Sequence, residues 1–216
     1  NNYELNDLKK FFRFPAQYYF NNHLNIYYRD EEEILSKSEV FEINPGIDKY
    51  QLNSKLINIS EECLADFILE YKHKGLLPLS NMGTYMLKEQ YDSDIKNIYH
   101  YLSDLTSGNI SHEESFKLDC ESGKLNGEVD SIYGDQLIHV MFSNENRVGK
   151  YLFPLYIDLL FLKSNNINIK ANLISKEKHY KLNTDKLDVS TAKIEINKLL
   201  KIFNENQNVI LEFNPM

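Results

Sequence analysis

Residues 116–142 read FKLDCESGKLNGEVDSIYGDQLIHVMF, and the hydrophobic period in this stretch decides the fold. Phe116, Leu118 and Cys120 alternate with Lys117 and Asp119, the two-residue period of a strand with one buried face. Glu121-Ser122-Gly123-Lys124 is a turn, residues 125–133 are a second strand, Gly134-Asp135 is a second turn, and residues 137–142 are a third strand. Two tight turns between three short runs predict an antiparallel meander.

Outward from the meander the period becomes helical. Upstream, apolar residues at 5, 8, 11 and 12 mark a short helix, and Pro15 opens a second. Residues 30–33 are an acidic loop, residues 40–43 an extended piece, and Asn44-Pro45-Gly46 a turn. Apolar positions at 52, 56, 59, 63, 64, 67, 68 and 71 predict one long helix over 50–71, stopped by Gly75. Ser80 is placed to cap a further helix that ends at Gly108, with a break near Asp92-Ser93-Asp94. Downstream, residues 151–162 predict a buried helix with Pro154 in its first turn or kinking it. Residues 167–173 alternate as a half-buried strand, and residues 178–182 are placed to pair back on it. Asp188 or Ser190 caps a last helix, and residues 209–216 read as an extended tail. The expected organisation is one domain over 1–216, a mostly helical entry at 1–110 leading into a mixed α/β core at 111–216.

Composition narrows the function. Lys+Arg is 24 and Asp+Glu is 32, a formal net charge of −8, whereas a free-standing nucleic-acid binder is usually basic. A local basic face inside a larger assembly is compatible with that balance. Residues 163–181 hold five Lys and one Glu, which makes Lys170, Lys178 and Lys181 candidates for phosphate contact. The alternative is a solvated strand face in a Lys-rich chain: Asn 25, Ile 20 and Lys 21 against three Arg indicate AT-rich coding. No apolar run reaches the roughly 20 residues of a membrane helix. Cys63, at an apolar helical position, and Cys120 read as reduced thiols of a cytosolic protein. The six histidines show no i, i+4 metal pairing and read as surface or packing residues. The chain opens Asn1-Asn2 with neither Met nor a leader, as expected of a piece of a longer protein.

The element order, helices, then three strands, then helix, strand, helix, resembles the restriction-endonuclease-like PD-(D/E)xK core. That resemblance implies an Mg²⁺ site: an Asp on the central strand, an acid on the facing strand, and a Lys two residues later. Asp130 in Gly127-Glu128-Val129-Asp130 stands at the first position. The facing strand offers Val140 for the acid and Phe142 for the Lys, and residues 136–144 contain no Asp, Glu or Lys. The upstream Gly-Thr-x-x-His segment of active relatives is matched by Gly83-Thr84-Tyr85-Met86 and then Leu87 in place of His. The Gln expected on the helix after the third strand is also missing from residues 137–206. The resemblance therefore implies a fold whose catalytic residues are lost, with Asp130 vestigial and no metal.

Longer segments sharpen it. Leu8-Lys9-Lys10-Phe11-Phe12-Arg13-Phe14-Pro15-Ala16-Gln17-Tyr18 resembles the opening of RecB/RecC/AddB nuclease-like domains. Phe41-Glu42-Ile43, Asp48-Lys49-Tyr50-Gln51-Leu52, Gly75-Leu76-Leu77-Pro78, Leu125-Asn126-Gly127-Glu128-Val129-Asp130 and Leu211-Glu212-Phe213-Asn214-Pro215 resemble the RecC C-terminal domain family, the exodeoxyribonuclease V gamma chain. Where AddB-type proteins carry an iron–sulfur Cys before the Pro, this chain has Phe14, so no cluster is implied. The family resemblance implies a cytoplasmic, non-catalytic scaffold and DNA-handling domain of the RecBCD helicase–nuclease, in recombinational double-strand-break repair. The partners it implies are RecB, RecD and DNA ends or forks, with the nuclease and motor sites in the partner subunits and no cofactor here. Two rival readings stay open. One is an active Mg²⁺-dependent nuclease using Asp130 with Asp119 or Glu128, and the other is an interaction module that never touches DNA.

Overall fold

The computed structural model describes residues 2–27, 47–78, 80–184 and 187–209. The acidic run, the extended piece at 40–43, the turn at 44–46 and the segment after Val209 lie outside these residues. In chain order the elements are β1 (Asn2–Glu4), α1 (Leu5–Arg13), α2 (Pro15–His23), α3 (Ile47–Leu56), α4 (Leu64–His73), α5 (Ser80–Gln90) and α6 (Lys96–Thr106). There follow β2 (His112–Cys120), β3 (Gly123–Tyr133), β4 (Gln136–Met141), α7 (Gly149–Ser164), β5 (Lys170–Ser175), β6 (His179–Lys181) and α8 (Val189–Asn206). They group into two compact units, one from Asn1–Tyr28, Thr106–Ile174 and His179–Met216, the other from Arg29–Leu105 and Ser175–Lys178.

The first unit carries a mixed six-stranded sheet in the order β1-β3-β4-β5-β6, with β2 also on β3. The expected meander is present: β2 pairs antiparallel with β3 along its length, and β3 pairs antiparallel with β4 at Ile132↔Leu137 and Tyr133↔Gln136. Gly134 turns the second hairpin at φ +61, a conformation glycine adopts without strain. β1, too short for the sequence pattern to mark, adds a parallel strand at Asn2↔Lys124 through Glu4↔Asn126. Because β2 occupies one edge of β3 from end to end, β1 and β4 share the other edge. Residues 127–131 lie between them.

Pro15 opens α2 as expected, since a first-turn residue has no helical N–H bond to lose. Phe11 of α1 meets Phe12, Tyr18 and Phe203 edge-to-face, so the N-terminal aromatics build the core of this unit. α7 is apolar on nearly every side, and Leu155, Ile157, Leu159, Leu160, Phe161 and Leu162 are buried. Pro154 sits inside this helix, not in its first turn. β5 is more deeply buried than its alternation suggests: every residue from Ala171 to Ser175 is covered. Asn172 tolerates burial because its amide donates to Gln136 Oε1 at 2.9 Å and its oxygen meets His179 Nε2 at 2.9 Å. β6 pairs back on β5, and the Asp188 carboxylate accepts from the Thr191 N–H at 2.7 Å to cap α8.

The second unit is helical. The single helix expected over 50–71 is two: α3 ends at Leu56, and a 3₁₀ turn, Glu61–Cys63, leads into α4. Ser60 makes the new start, extended at ψ 158 with its hydroxyl accepting from the Cys63 N–H. The apolar phase runs on across the break because Leu52, Leu56, Leu64 and Ile68 are buried on both sides of it. Cys63 is exposed at the end of that turn, contrary to its apolar-looking position. The interruption near 92–94 is a π-helical turn, Tyr91–Ile95. Asp94 on it pairs with Lys49 at 3.0 Å and Lys176 at 3.5 Å. Burial pushes the Asp94 carboxyl up, but Lys49, Gln90 and Lys176 together bring it below the usual range. Ser80 is the first residue of α5, at φ +63, one position later than a cap.

Candidate functional site

A groove of about 600 Å³ lies over β2 and β3 beside the start of α1, bordered by Lys9, Glu113, Lys117, Glu128 and Asp130 among others. Gly127 in this lining lets α1 lie close against β3, because a Cβ there would run into the Leu5 side chain. Val129 points into the core, so Glu128 and Asp130 share the exposed face. Asp130 accepts from the Ser131 hydroxyl at 3.3 Å, and Ser131 itself has φ +61. Ser115 of β2 pairs with Glu128, so alternation puts Glu113 on the same face, and the register slip between His112 and Glu114 leaves an extra residue on the β3 side beside it. A hydrogen bond to Glu128, then the charges of Glu128 and Asp130, hold the Glu113 carboxyl above its ordinary range.

Behind the groove lies a second carboxylate of opposite character. Asp158, in the middle of α7, is 1% exposed. Lys9 Nζ of α1 lies 2.8 Å from one of its oxygens, and His139 Nε2 of β4 lies 3.3 Å from the other. Three elements are tied to one buried anion, and the Lys9 that holds it also borders the groove. Sequence reading singled out Asp130 and passed over this cluster. The signal was one acid inside the apolar run Leu155-Tyr156-Ile157-Asp158-Leu159-Leu160, since an acid there is retained when paired.

The family model of the RecC C-terminal domain matches residues 1–216. The chain belongs to the RecC C-terminal domain family. It is 28% identical over 200 residues to the RecBCD enzyme subunit RecC of Haemophilus influenzae, covering 89% of this chain and 18% of that protein. It is 24% identical over 166 residues to the RecBCD enzyme subunit RecC of Buchnera aphidicola subsp. Acyrthosiphon pisum, 74% of this chain and 15% of that protein. The chain thus spans less than a fifth of the curated relatives it matches.

Within this RecC C-terminal fold the residues singled out in the sequence separate. Glu128 does share the groove with Asp130, but Asp119 is at the far end of the hairpin, opposite Lys124 at 3.9 Å. β4 presents Val140 half-buried and His139 already paired to Asp158; Phe142, just past β4, is half-buried as well. Leu87 is fully buried in the helical unit. Gly83 has a packing reason of its own, because a Cβ there would strike the Pro78 carbonyl oxygen. Among the described residues no three His, Cys, Asp or Glu side chains are arranged to hold a metal ion. Lys170 pairs with Asp135 at 2.7 Å, while Lys178 and Lys181 are exposed and belong to different units. No helix among the described residues is long and apolar enough to cross a membrane.

Proposed function

We propose that this chain is a non-catalytic scaffold and DNA-handling domain of a RecBCD-type helicase–nuclease, in recombinational double-strand-break repair. The observation that carries the reading is the RecC C-terminal family match across all 216 residues. In this reading the chain is one cytoplasmic nuclease-like domain with a restriction-endonuclease-like core, in contact with RecB and RecD and with DNA ends or forks. It needs no cofactor of its own. Loss of catalysis is supported by β4, the strand that joins β3 just beyond Asp130. Hard divalent ions take oxygen ligands, and Val140 and Phe142 have none to give. The one titratable side chain on β4, His139, is committed to Asp158.

A second reading, a Mg²⁺-dependent nuclease through Asp130 and Glu128, draws on the convergence of Glu113, Glu128 and Asp130 at one groove. The first reading is tested by building the complex with the full-length subunit and with a subunit cut before this domain. Loss of partner association or of DNA-end binding is the expected result. Full assembly with unaltered end binding would refute it.

A further inference from the structure

We propose that the crossing of α1 and α7 is a phosphate-binding corner for the sugar–phosphate backbone of DNA; the inference rests on the DNA-handling reading above. The chain has only three arginines, and two of them, Arg13 and Arg147, stand here. Arg13, the last residue of α1, places its guanidinium 5.5 Å from the centre of the Tyr151 ring. Lys150, the second residue of α7, places its ammonium 4.5 Å from the centre of the Phe14 ring. Two reciprocal cation–aromatic contacts therefore hold the end of one helix against the start of the other. Arg147 lies one turn before Lys150, and Lys10 one turn before Arg13.

Arg13 and Lys10 close α1 at its negative end, where cations are favoured, whereas Arg147 and Lys150 stand at the start of α7, where they are not. Among the described residues the ion pairs include neither Arg13, Arg147 nor Lys150. α7 has no acidic residue in its first turn and no side-chain cap. Arg147 and Lys150 thus stand at the positive end of a 16-residue helix, where the macrodipole repels cations and attracts anions. A basic corner in a chain of net charge −8 is complementary to an external polyanion. Phosphodiester fits better than an acidic peptide. The guanidinium fork matches two phosphate oxygens, and basic side chains tracking the backbone hold strands without sequence preference.

The test uses the full-length subunit assembled with its partner subunits and a forked DNA duplex. A photoreactive residue is placed at Lys150 and, in separate proteins, at Lys117 and Lys181. DNA crosslinked from position 150 is the expected result. DNA captured only from 117 or 181 overturns the corner and leaves the DNA-handling reading standing. Capture of no DNA from any of the three, or of a protein segment at 150, overturns the corner, and the absence of DNA at all three counts against that reading too. In the same complex, Arg13→Ala with Lys150→Ala should lower the salt slope of end binding by about 2, one per lost phosphate contact. Arg13→Lys with Lys150→Arg should restore it. Arg13 is exposed and Lys150 half-buried, so the melting temperature is read alongside to separate lost contact from lost fold, and an unchanged slope in a folded complex overturns the proposal.

Discussion

Two carboxylates sit close behind one another on the same unit and live under opposite rules. Asp158 is buried and held by Lys9 and His139 on two other elements. Asp130 is exposed on β3 among Glu113 and Glu128, with a serine hydroxyl as its own partner. The first is an anion the fold has already neutralised, so it organises packing. The second is a cluster of carboxylates at a groove that Lys9 and Lys117 also border, and no three of the described acids are arranged to hold a metal ion. The two are told apart by where the counter-charge comes from.

The comparison can be broken most directly at Lys9. Lys9→Met leaves a carboxylate of 1% exposure with His139 alone, and removing one partner of a buried pair costs about 3 kcal/mol. Chemical denaturation of the subunit should register that loss, and a change below about 0.5 kcal/mol would mean that Asp158 is not the structural anion. The groove itself is the next target. Gly127→Ala forces a methyl group against Leu5 and should destabilise by about 1–3 kcal/mol, an overpacking effect visible in the same melts.

The smallest effect sharpens the other side. Glu113 has its folded pKa raised, so its protonated form is favoured in the fold. The stabilisation this gives is complete below the ordinary carboxylate range and is lost as pH rises through the raised value. Glu113→Gln should therefore flatten the dependence of melting temperature on pH from the ordinary carboxylate range upward, chiefly by removing the decline on the neutral side. A variant whose pH profile overlays the parent would show that Glu113, Glu128 and Asp130 do not interact.

The meander was legible because everything that specifies it is local: alternation over a few residues and glycine at the turns. The β1–β3 ladder was not, because a three-residue strand carries no period and its partner lies about 120 residues away. The split of the 50–71 helix escaped for the opposite reason, since the apolar phase continues in step across Ser60 and the break shows only in its capping hydrogen bond. Asp130 was legible by its place on the central strand. Glu113 depended on the register between β2 and β3, and the Lys9–Asp158–His139 cluster on three elements meeting, neither of which has a local signature. The lysines at 170, 178 and 181 looked like one patch along the chain, but Lys170 is paired and the other two fall in different units.

The account stands or falls on the inertness of Asp130. The full-length subunit, purified without its partners, would be incubated with linear and single-stranded DNA in Mg²⁺ or Mn²⁺. No cleavage is predicted, with the wild type and Asp130→Ala indistinguishable on a gel. Cleavage by the wild type that disappears in Asp130→Ala would make the groove a working nuclease and contradict the account.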